Sequence, residues 1–249
     1  MAFFRKKSTV TIADLPREAY PAHIGFIMDG NGRWAKNRGL PRTAGHVAGA
    51  KTFRKIVKAC EARGIRSATF YAFSTENWKR PQDEVDAIMN LLRDYLKESL
   101  ADFRAENIRT KFIGDRAPLA PDILELIEEA ERETEHKTGL TLNIALNYGG
   151  RHELVLAMKE IAARAAAGDL SAEAIDEQFV SDMLETGGQP DPDLIIRPSG
   201  ELRTSNFLLW QSAYAEYVFM DVLWPDFNEK HLDDAIVQFA KRSRRFGGV

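Results

Sequence analysis

Asp29-Gly30-Asn31-Gly32-Arg33 is the stretch whose residue types and spacing point most directly to chemistry. Glycines on either side of Asn31 let the backbone take positive φ, so that successive N–H groups can turn toward an anion, and Arg33 adds a fork of donors. Arg38, Arg42 and His46 follow closely. Together they describe a diphosphate cradle with the Asp29 carboxylate beside it. Such a carboxylate is a usual partner of Mg²⁺, which takes one or two and fills its shell with water and substrate oxygens. Glu216, a lone acid in Ala213-Tyr214-Ala215-Glu216-Tyr217, is the candidate second ligand. Taken alone, Asp29 would more commonly cap the segment that follows it.

Ser74-Thr75-Glu76-Asn77-Trp78-Lys79-Arg80-Pro81 crowds hydroxyl, amide, aromatic and cationic groups together. It suits an active-site loop in which Asn77 and Arg80 face a ligand and Trp78 covers it; capping the helix that starts after Pro81 is an equally good role. In Arg197-Pro198-Ser199-Gly200-Glu201-Leu202-Arg203-Thr204-Ser205, two guanidinium groups and a hydroxyl are spaced to clamp a second phosphate group. Two phosphate sites imply two substrates. For Arg197 alone, pairing with Glu201 or Asp193 is the default.

These clusters fall at the ends of apolar runs. Hydrophobic periodicity predicts strands over 22–28, 65–73, 108–113, 140–146, 193–197 and 217–222, and helices over 44–63, 82–106, 121–137, 151–167, 171–185 and 228–242. Strand and helix in alternation, without a linker or repeat, mean an α/β fold: a single domain with a mainly parallel central sheet flanked by helices. Residues 1–21 are expected to be a flexible N-terminal tip and 22–249 the catalytic domain. Ligands of such sheets sit beyond the carboxyl ends of the strands, where the polar clusters lie. The helix over 82–106 is apolar at Val85, Ile88, Met89, Leu92, Tyr95, Leu96 and Phe103. That face is core by default, and a tunnel wall if the substrate is greasy.

Composition narrows the class. With 249 residues, 44% of them hydrophobic, the chain can bury a sizeable core, and a net charge of -3 excludes a protein that coats nucleic acid by bulk charge. The single cysteine, Cys60, excludes a disulfide framework and points to a reducing compartment. No apolar run reaches membrane-spanning length, and Met1-Ala2-Phe3-Phe4-Arg5-Lys6-Lys7 lacks the core of a secretory signal. A cytoplasmic protein is expected, at most peripheral at the inner face of the membrane. Other phosphate motifs fail. Gly30-x-Gly32-x-x-Ala35 lacks the ribose acid about twenty residues on, and Gly45-His46-Val47-Ala48-Gly49-Ala50-Lys51-Thr52 has Ala50 for the second Walker glycine and reads as helix.

With these blocks assembled, the sequence resembles the cis-prenyltransferases, the bacterial undecaprenyl diphosphate synthases and their relatives, also called isoprenyl transferases. His23 to Ala35, Tyr71 to Trp78, Asn143 to Arg151 and Ile196 to Gln211 match the family's signature blocks in order. The resemblance implies the cis-prenyltransferase fold with a hydrophobic tunnel, not an all-α synthase with DDxxD helices. It implies condensation of isopentenyl diphosphate onto an allylic diphosphate such as farnesyl diphosphate. The product would be a long-chain polyprenyl diphosphate such as undecaprenyl diphosphate, the carrier-lipid precursor for cell-wall glycan synthesis.

By the same resemblance Asp29 and Asn77 are catalytic, and Asp29 and Glu216 hold Mg²⁺. Gly30, Asn31, Gly32, Arg33, Trp34, Arg42 and His46 hold the allylic diphosphate; Arg197, Arg203 and Ser205 hold isopentenyl diphosphate; Ser74, Thr75, Glu76, Trp78 and Arg80 form the active-site loop. The family further implies a homodimer, product delivered to the membrane, no nucleic-acid partner, and a C-terminal Arg-x-Gly element at Arg245-Phe246-Gly247. Pro198 stands where the family usually has Thr and removes one backbone donor.

Overall fold

The computed structural model of the chain describes residues 10–242; Arg245-Phe246-Gly247 and the basic-aromatic start lie outside them. β1 (His23–Ile27) is buried along its whole length, as a strand covered on both faces must be. It pairs in parallel with β2 (Ser67–Ser74) on one flank and β5 (Leu194–Arg197) on the other. β3 (Ile108–Ile113), β4 (Leu140–Tyr148) and β6 (Glu216–Phe219) complete a six-stranded parallel sheet in the order β3-β4-β2-β1-β5-β6. The expected sheet is therefore present. From β1 the chain moves to one flank, and it later returns to the other at β5. The crevice outside the carboxyl ends of β1 and β5 is thus the topological switch point, where ligands of open α/β sheets bind.

Ile24 and Phe26 point to one face of β1, Ile27 to the other. The first face is covered by α2 (Arg42–Ala62), α3 (Gln82–Ala105), α4 (Pro121–Thr134) and α7 (Glu229–Ala240) in one large core. Phe26 stacks on Phe70 there, with ring centroids 4.5 Å apart. Cys60 is fully buried in this core, and burial pushes its thiol pKa up to about 12, so it is inert. The other face has a smaller cluster that includes Ile27, Tyr148 and Phe207. There α5 (Gly150–Ala166) buries Gly150, Glu153 and Ala157 and leaves Val155, Leu156 and Met158 exposed.

Some boundaries differ from the periodicity. α2 begins at Arg42, directly after Pro41, and the last strand ends at Phe219. The helix expected over 171–185 is a 3-10 turn, Ala172–Ala174, followed by α6 (Glu177–Met183), which restarts where Asp176 accepts from the Phe179 N–H at 2.7 Å. Nor are residues 10–21 a loose tip. They form 3-10 turns at Ile12–Asp14 and Arg17–Ala19, and Ile12, Leu15 and Tyr20 pack against the large core. Among the described residues no helix is long and apolar enough to cross a membrane.

Candidate active site

Asp29 lies just past the end of β1, and Arg197 is the last residue of β5. Across the switch point, Arg197 Nη2 donates to Asp29 Oδ2 at 2.9 Å. Through Nη1 the same guanidinium donates to Ser205 Oγ at 2.7 Å and to the Arg203 carbonyl. Arg197 is buried, and its Nε has no partner among the described residues. Arg33 Nη2 stands 3.5 Å from the other Asp29 oxygen. Burial alone would raise the Asp29 pKa. The Arg197 hydrogen bond, the Ser199 hydroxyl and the charges of Arg197 and Arg33 outweigh it and hold the carboxyl below its usual range. Asp29 is an anion at neutral pH and a weak proton acceptor there.

Gly30, with φ of 105°, caps α1 (Asn31–Lys36) in the left-handed conformation. Gly32 does not share it. It is an ordinary helical residue whose missing Cβ leaves room for the Arg42 guanidinium, 3.2 Å from where that atom would sit. The expected turn with positive φ at both glycines is instead one left-handed residue that opens a short helix. α2 presses against this helix because Gly45 and Gly49 have no side chain: a Cβ at either would run into the Asn31 carbonyl or its Oδ1. Asn31 Nδ2 donates to the Met28 carbonyl at 3.1 Å, while Oδ1 is buried without a partner among the described residues.

Two cavities meet at this point. One, of about 660 Å³, has Asp29, Asn77, Arg80, Arg197, Arg203 and Ser205 at the sheet's carboxyl edge and continues to Phe53, Ile88, Leu91, Leu92, Tyr95 and Ile144. The other, of about 620 Å³, is lined by Gly30, Gly32, Arg33, Lys36 and Arg42. Asp29, Asn31, His46 and Arg80 belong to both. The apolar side of α3 is therefore divided: Val85, Met89 and Leu96 go to the core, while Ile88 and Leu92 wall the cavity.

A family model described as "Putative undecaprenyl diphosphate synthase" matches residues 27–247. The chain belongs to this family of prenyltransferases. The isoprenyl transferase of Clostridium perfringens is 48% identical over 249 residues, 99% of this chain and 98% of that protein. That of Brucella suis is 53% identical over 229 residues, 92% and 90% of the two chains. Lavandulyl diphosphate synthase from Lavandula x intermedia, solved in complex with dimethylallyl diphosphate, has a TM-score of 0.90 at 35% identity, covering 93% of this chain and 100% of its own. A Campylobacter jejuni structure described as "a probable undecaprenyl diphosphate synthase" gives 0.76 at 34% identity, covering 92% and 99%.

Of the residues marked by the prenyltransferase resemblance, Asp29, Asn31, His46, Ser74, Glu76, Asn77, Arg80, Arg197, Arg203 and Ser205 line the first cavity, and Gly30, Gly32, Arg33 and Arg42 the second. Asn77 Oδ1 accepts from the Ser74 N–H at 3.1 Å and closes the 3-10 turn Thr75–Lys79, so its amide hydrogens are what it offers a ligand. Glu76 accepts from Asn206 Nδ2 at 2.9 Å, which ties the two loops together. Trp78, Thr75 and Trp34 line neither cavity. Trp78 is held edge-on against Phe73 and donates to Asn147 Oδ1 at 2.7 Å. Thr75 Oγ1 lies against Gly149. Trp34 turns outward to Asp226, 2.8 Å from its indole N–H, with Arg38 over its ring.

Glu216 is placed apart from the others. It opens β6 opposite Leu194, which itself faces Ile24, so it stands at the amino edge of the sheet. Asp29 is beyond the carboxyl edge, and at about 3.3 Å per strand residue and about 4.8 Å between neighbouring strands the two are roughly 20 Å apart. The Glu216 carboxylate accepts from Arg242 at 2.6 Å. One prenyltransferase chain therefore does not bring Asp29 and Glu216 to a common ion. No group of three or more His, Cys, Asp or Glu able to hold a metal occurs among the described residues.

Glu84 is a residue that the motifs did not single out. Its Oε1 lies 2.8 Å from Arg80 Nη1, 3.2 Å from Arg42 Nη2 and 3.5 Å from His46 Nε2. Its only sequence signal is the i,i+4 spacing from Arg80, which ordinarily marks a solvated pair. Burial, then the charge of Arg80, lower the His46 pKa, and Glu84 offsets only part of this, so His46 is neutral at pH 7. Pro198 costs no bond to the segment that follows β6: the Met220 N–H donates to the Arg197 carbonyl and the Ser199 N–H to the Val222 carbonyl.

Proposed function

We propose that this prenyltransferase adds isopentenyl diphosphate repeatedly to an allylic diphosphate, with farnesyl diphosphate as primer. The product is a long-chain polyprenyl diphosphate such as undecaprenyl diphosphate, precursor of the lipid carrier for cell-wall glycans. One observation carries this reading: a cationic mouth and an apolar trough are continuous in a single cavity of about 660 Å³. A charged head and a growing hydrocarbon tail need both. The dimethylallyl diphosphate in the lavandulyl diphosphate synthase structure supports an allylic ligand for the fold.

In this reading Gly30, Asn31, Gly32, Arg33, Arg42 and His46 hold the allylic diphosphate, while Arg197, Arg203 and Ser205 hold isopentenyl diphosphate. Asp29 sits between them. When the allylic carbon–oxygen bond breaks, its electron pair leaves with the diphosphate, and guanidinium groups already in place meet the growing charge. The isopentenyl double bond then joins the allylic carbon, and loss of a proton from the adjacent carbon restores a cis double bond. Asn77 and Arg80 donate hydrogen bonds at the mouth. A neutral amide is no base, so a diphosphate oxygen or water takes the proton. The apolar trough excludes water that would otherwise trap the allylic cation.

Asp29 fits Mg²⁺: it is a hard oxygen donor open to the mouth, where substrate oxygens and water would complete the shell. The bound ion would neutralise diphosphate charge. Glu216 can join that shell only from a second copy of the chain. We therefore place both ligands in a cytoplasmic homodimer, with the exposed Val155, Met158 and Tyr214 as interface material and the membrane as destination of the product. Incubating the purified protein with farnesyl diphosphate, labelled isopentenyl diphosphate and Mg²⁺ tests the reading. Label should enter a butanol-extractable product whose mass gives the chain length; no extractable label overturns it.

A further inference from the structure

Two guanidinium groups and a neutral imidazole converge on one buried carboxylate oxygen. Arg42 begins α2, His46 lies one turn further along it, and Arg80 closes the link into α3. Glu84, 6% exposed in the first turn of α3, accepts from Arg80 Nη1 at 2.8 Å, and the same Oε1 lies 3.2 Å from Arg42 Nη2 and 3.5 Å from His46 Nε2. The meeting point is the wall shared by the two cavities, to which His46 and Arg80 both belong. Without that carboxylate, two guanidinium groups that now share an oxygen would repel each other. The Arg42 side chain, 63% exposed, would be free to swing into solvent.

We propose that Glu84 is a positioning residue for the allylic diphosphate, holding Arg42 and Arg80 converged on the junction of the cavities before the ligand arrives. The inference rests on the diphosphate reading of this site. A guanidinium carries five N–H donors in a rigid fork, so the one given to Glu84 fixes the plane and leaves the others for phosphate oxygens. Two arginines against one carboxylate keep the wall cationic. Ordering these long side chains in advance removes an entropy cost from each binding event, and the cost recurs at every addition. A mere first-turn acid on α3 would behave differently: its loss would lower stability and leave diphosphate affinity alone.

Titration of the folded protein with inorganic diphosphate, followed by calorimetry, separates these roles. Glu84→Gln, which keeps the shape and removes the charge, should weaken Kd about tenfold, and Glu84→Asp, which draws the carboxylate back, about threefold. In an Arg80→Ala background Glu84→Gln should add less than about threefold, because the two substitutions break one unit. In steady state KM for the allylic substrate should rise in step, with kcat changing far less. Wild-type affinity in Glu84→Gln, or a fully additive loss in the double variant, overturns the proposal. Should Glu84→Gln not fold, Glu84→Asp decides: wild-type affinity there overturns it equally. Failure of the wild-type protein to bind diphosphate instead overturns the diphosphate reading itself.

Discussion

Arg197 and Asp29 meet guanidinium to carboxylate at 2.9 Å, yet the arginine side chain is 4% exposed and the aspartate 29%. The pair is asymmetric. Arg197 is locked by Ser205 and the Arg203 carbonyl, whereas Asp29 keeps an open face toward the cavities. An ammonium cannot reproduce that three-way fork. Arg197→Lys should lower turnover by about 10²- to 10³-fold while costing about 1.5–3 kcal/mol of stability, the scale of lost hydrogen bonds to a charged group. Steady-state kinetics and urea unfolding measure both; near-normal turnover would detach the pair from catalysis.

Asn77 offers a separate test of what the loop contributes. Its Oδ1 already caps the turn through the Ser74 N–H, a bond that an aspartate can also accept. Asn77→Asp should therefore hold its stability within about 0.5 kcal/mol. It replaces the amide hydrogens with negative charge at a diphosphate mouth, and activity should fall at least about 10²-fold. An active Asn77→Asp enzyme would mean that the amide group donates nothing to the reaction.

Gly45 makes the close approach of α1 and α2 testable. A methyl group there would run into the Asn31 carbonyl, which is backbone and cannot swing aside. Gly45→Ala should part the two helices at a cost of about 1–3 kcal/mol and raise KM for the allylic diphosphate. Thermal unfolding with substrate titration checks it, and a variant normal in both would refute the packing account.

His23 sets a pH dependence away from the site. Its Nδ1 lies 2.7 Å from the Pro190 carbonyl and its Nε2 2.7 Å from Thr69 Oγ1, and burial lowers its pKa to about 4. The unfolded chain, with a His pKa of about 6.5, binds the proton first, so stability falls as pH drops from about 6.5 to about 4. The slope from this group is about 1.4 kcal/mol per pH unit. Glu185 acts in the opposite sense, since burial raises its folded pKa to about 6 and acid favours its folded form. Comparing wild type with His23→Gln by urea unfolding between pH 7 and pH 4.5 isolates the histidine. The wild-type advantage should shrink as pH falls, and a constant difference would contradict the buried neutral ring.

The parallel sheet was legible because β1, β2 and β5 are apolar runs that each end in a polar cluster, and such ends mark the ligand edge. The pairing of Asp29 with Arg197 was not, since 168 residues separate them. The nearer acids that local reasoning favours are occupied elsewhere: Glu201 takes Arg33 and Arg203, and Asp193 takes the N–H groups of Ala22 and His23. Glu84 stayed hidden for the same reason, as two of its neighbours, Arg42 and His46, come from α2. Trp34 and Thr75 show the converse case. Adjacency in a motif does not fix which way a side chain points: Trp34 bonds Asp226, Thr75 lies against Gly149, and neither lines a cavity.

Glu216 turns that distance into a prediction about assembly. It stands roughly 20 Å from Asp29 by strand geometry, so a shared ion requires two copies of the chain. Co-expressing Asp29→Ala and Glu216→Ala chains, each inactive in its own homodimer, gives a mixed dimer. One of its sites combines the intact Asp29 of one chain with the intact Glu216 of the other. That site should restore about half of the wild-type activity per mixed dimer, in a Mg²⁺-dependent manner, while the second site stays dead. Purification with two different tags isolates the mixed species for assay. Activity no greater than in either parent would assign Glu216 to its bond with Arg242 and leave Asp29 as the sole carboxylate for the ion.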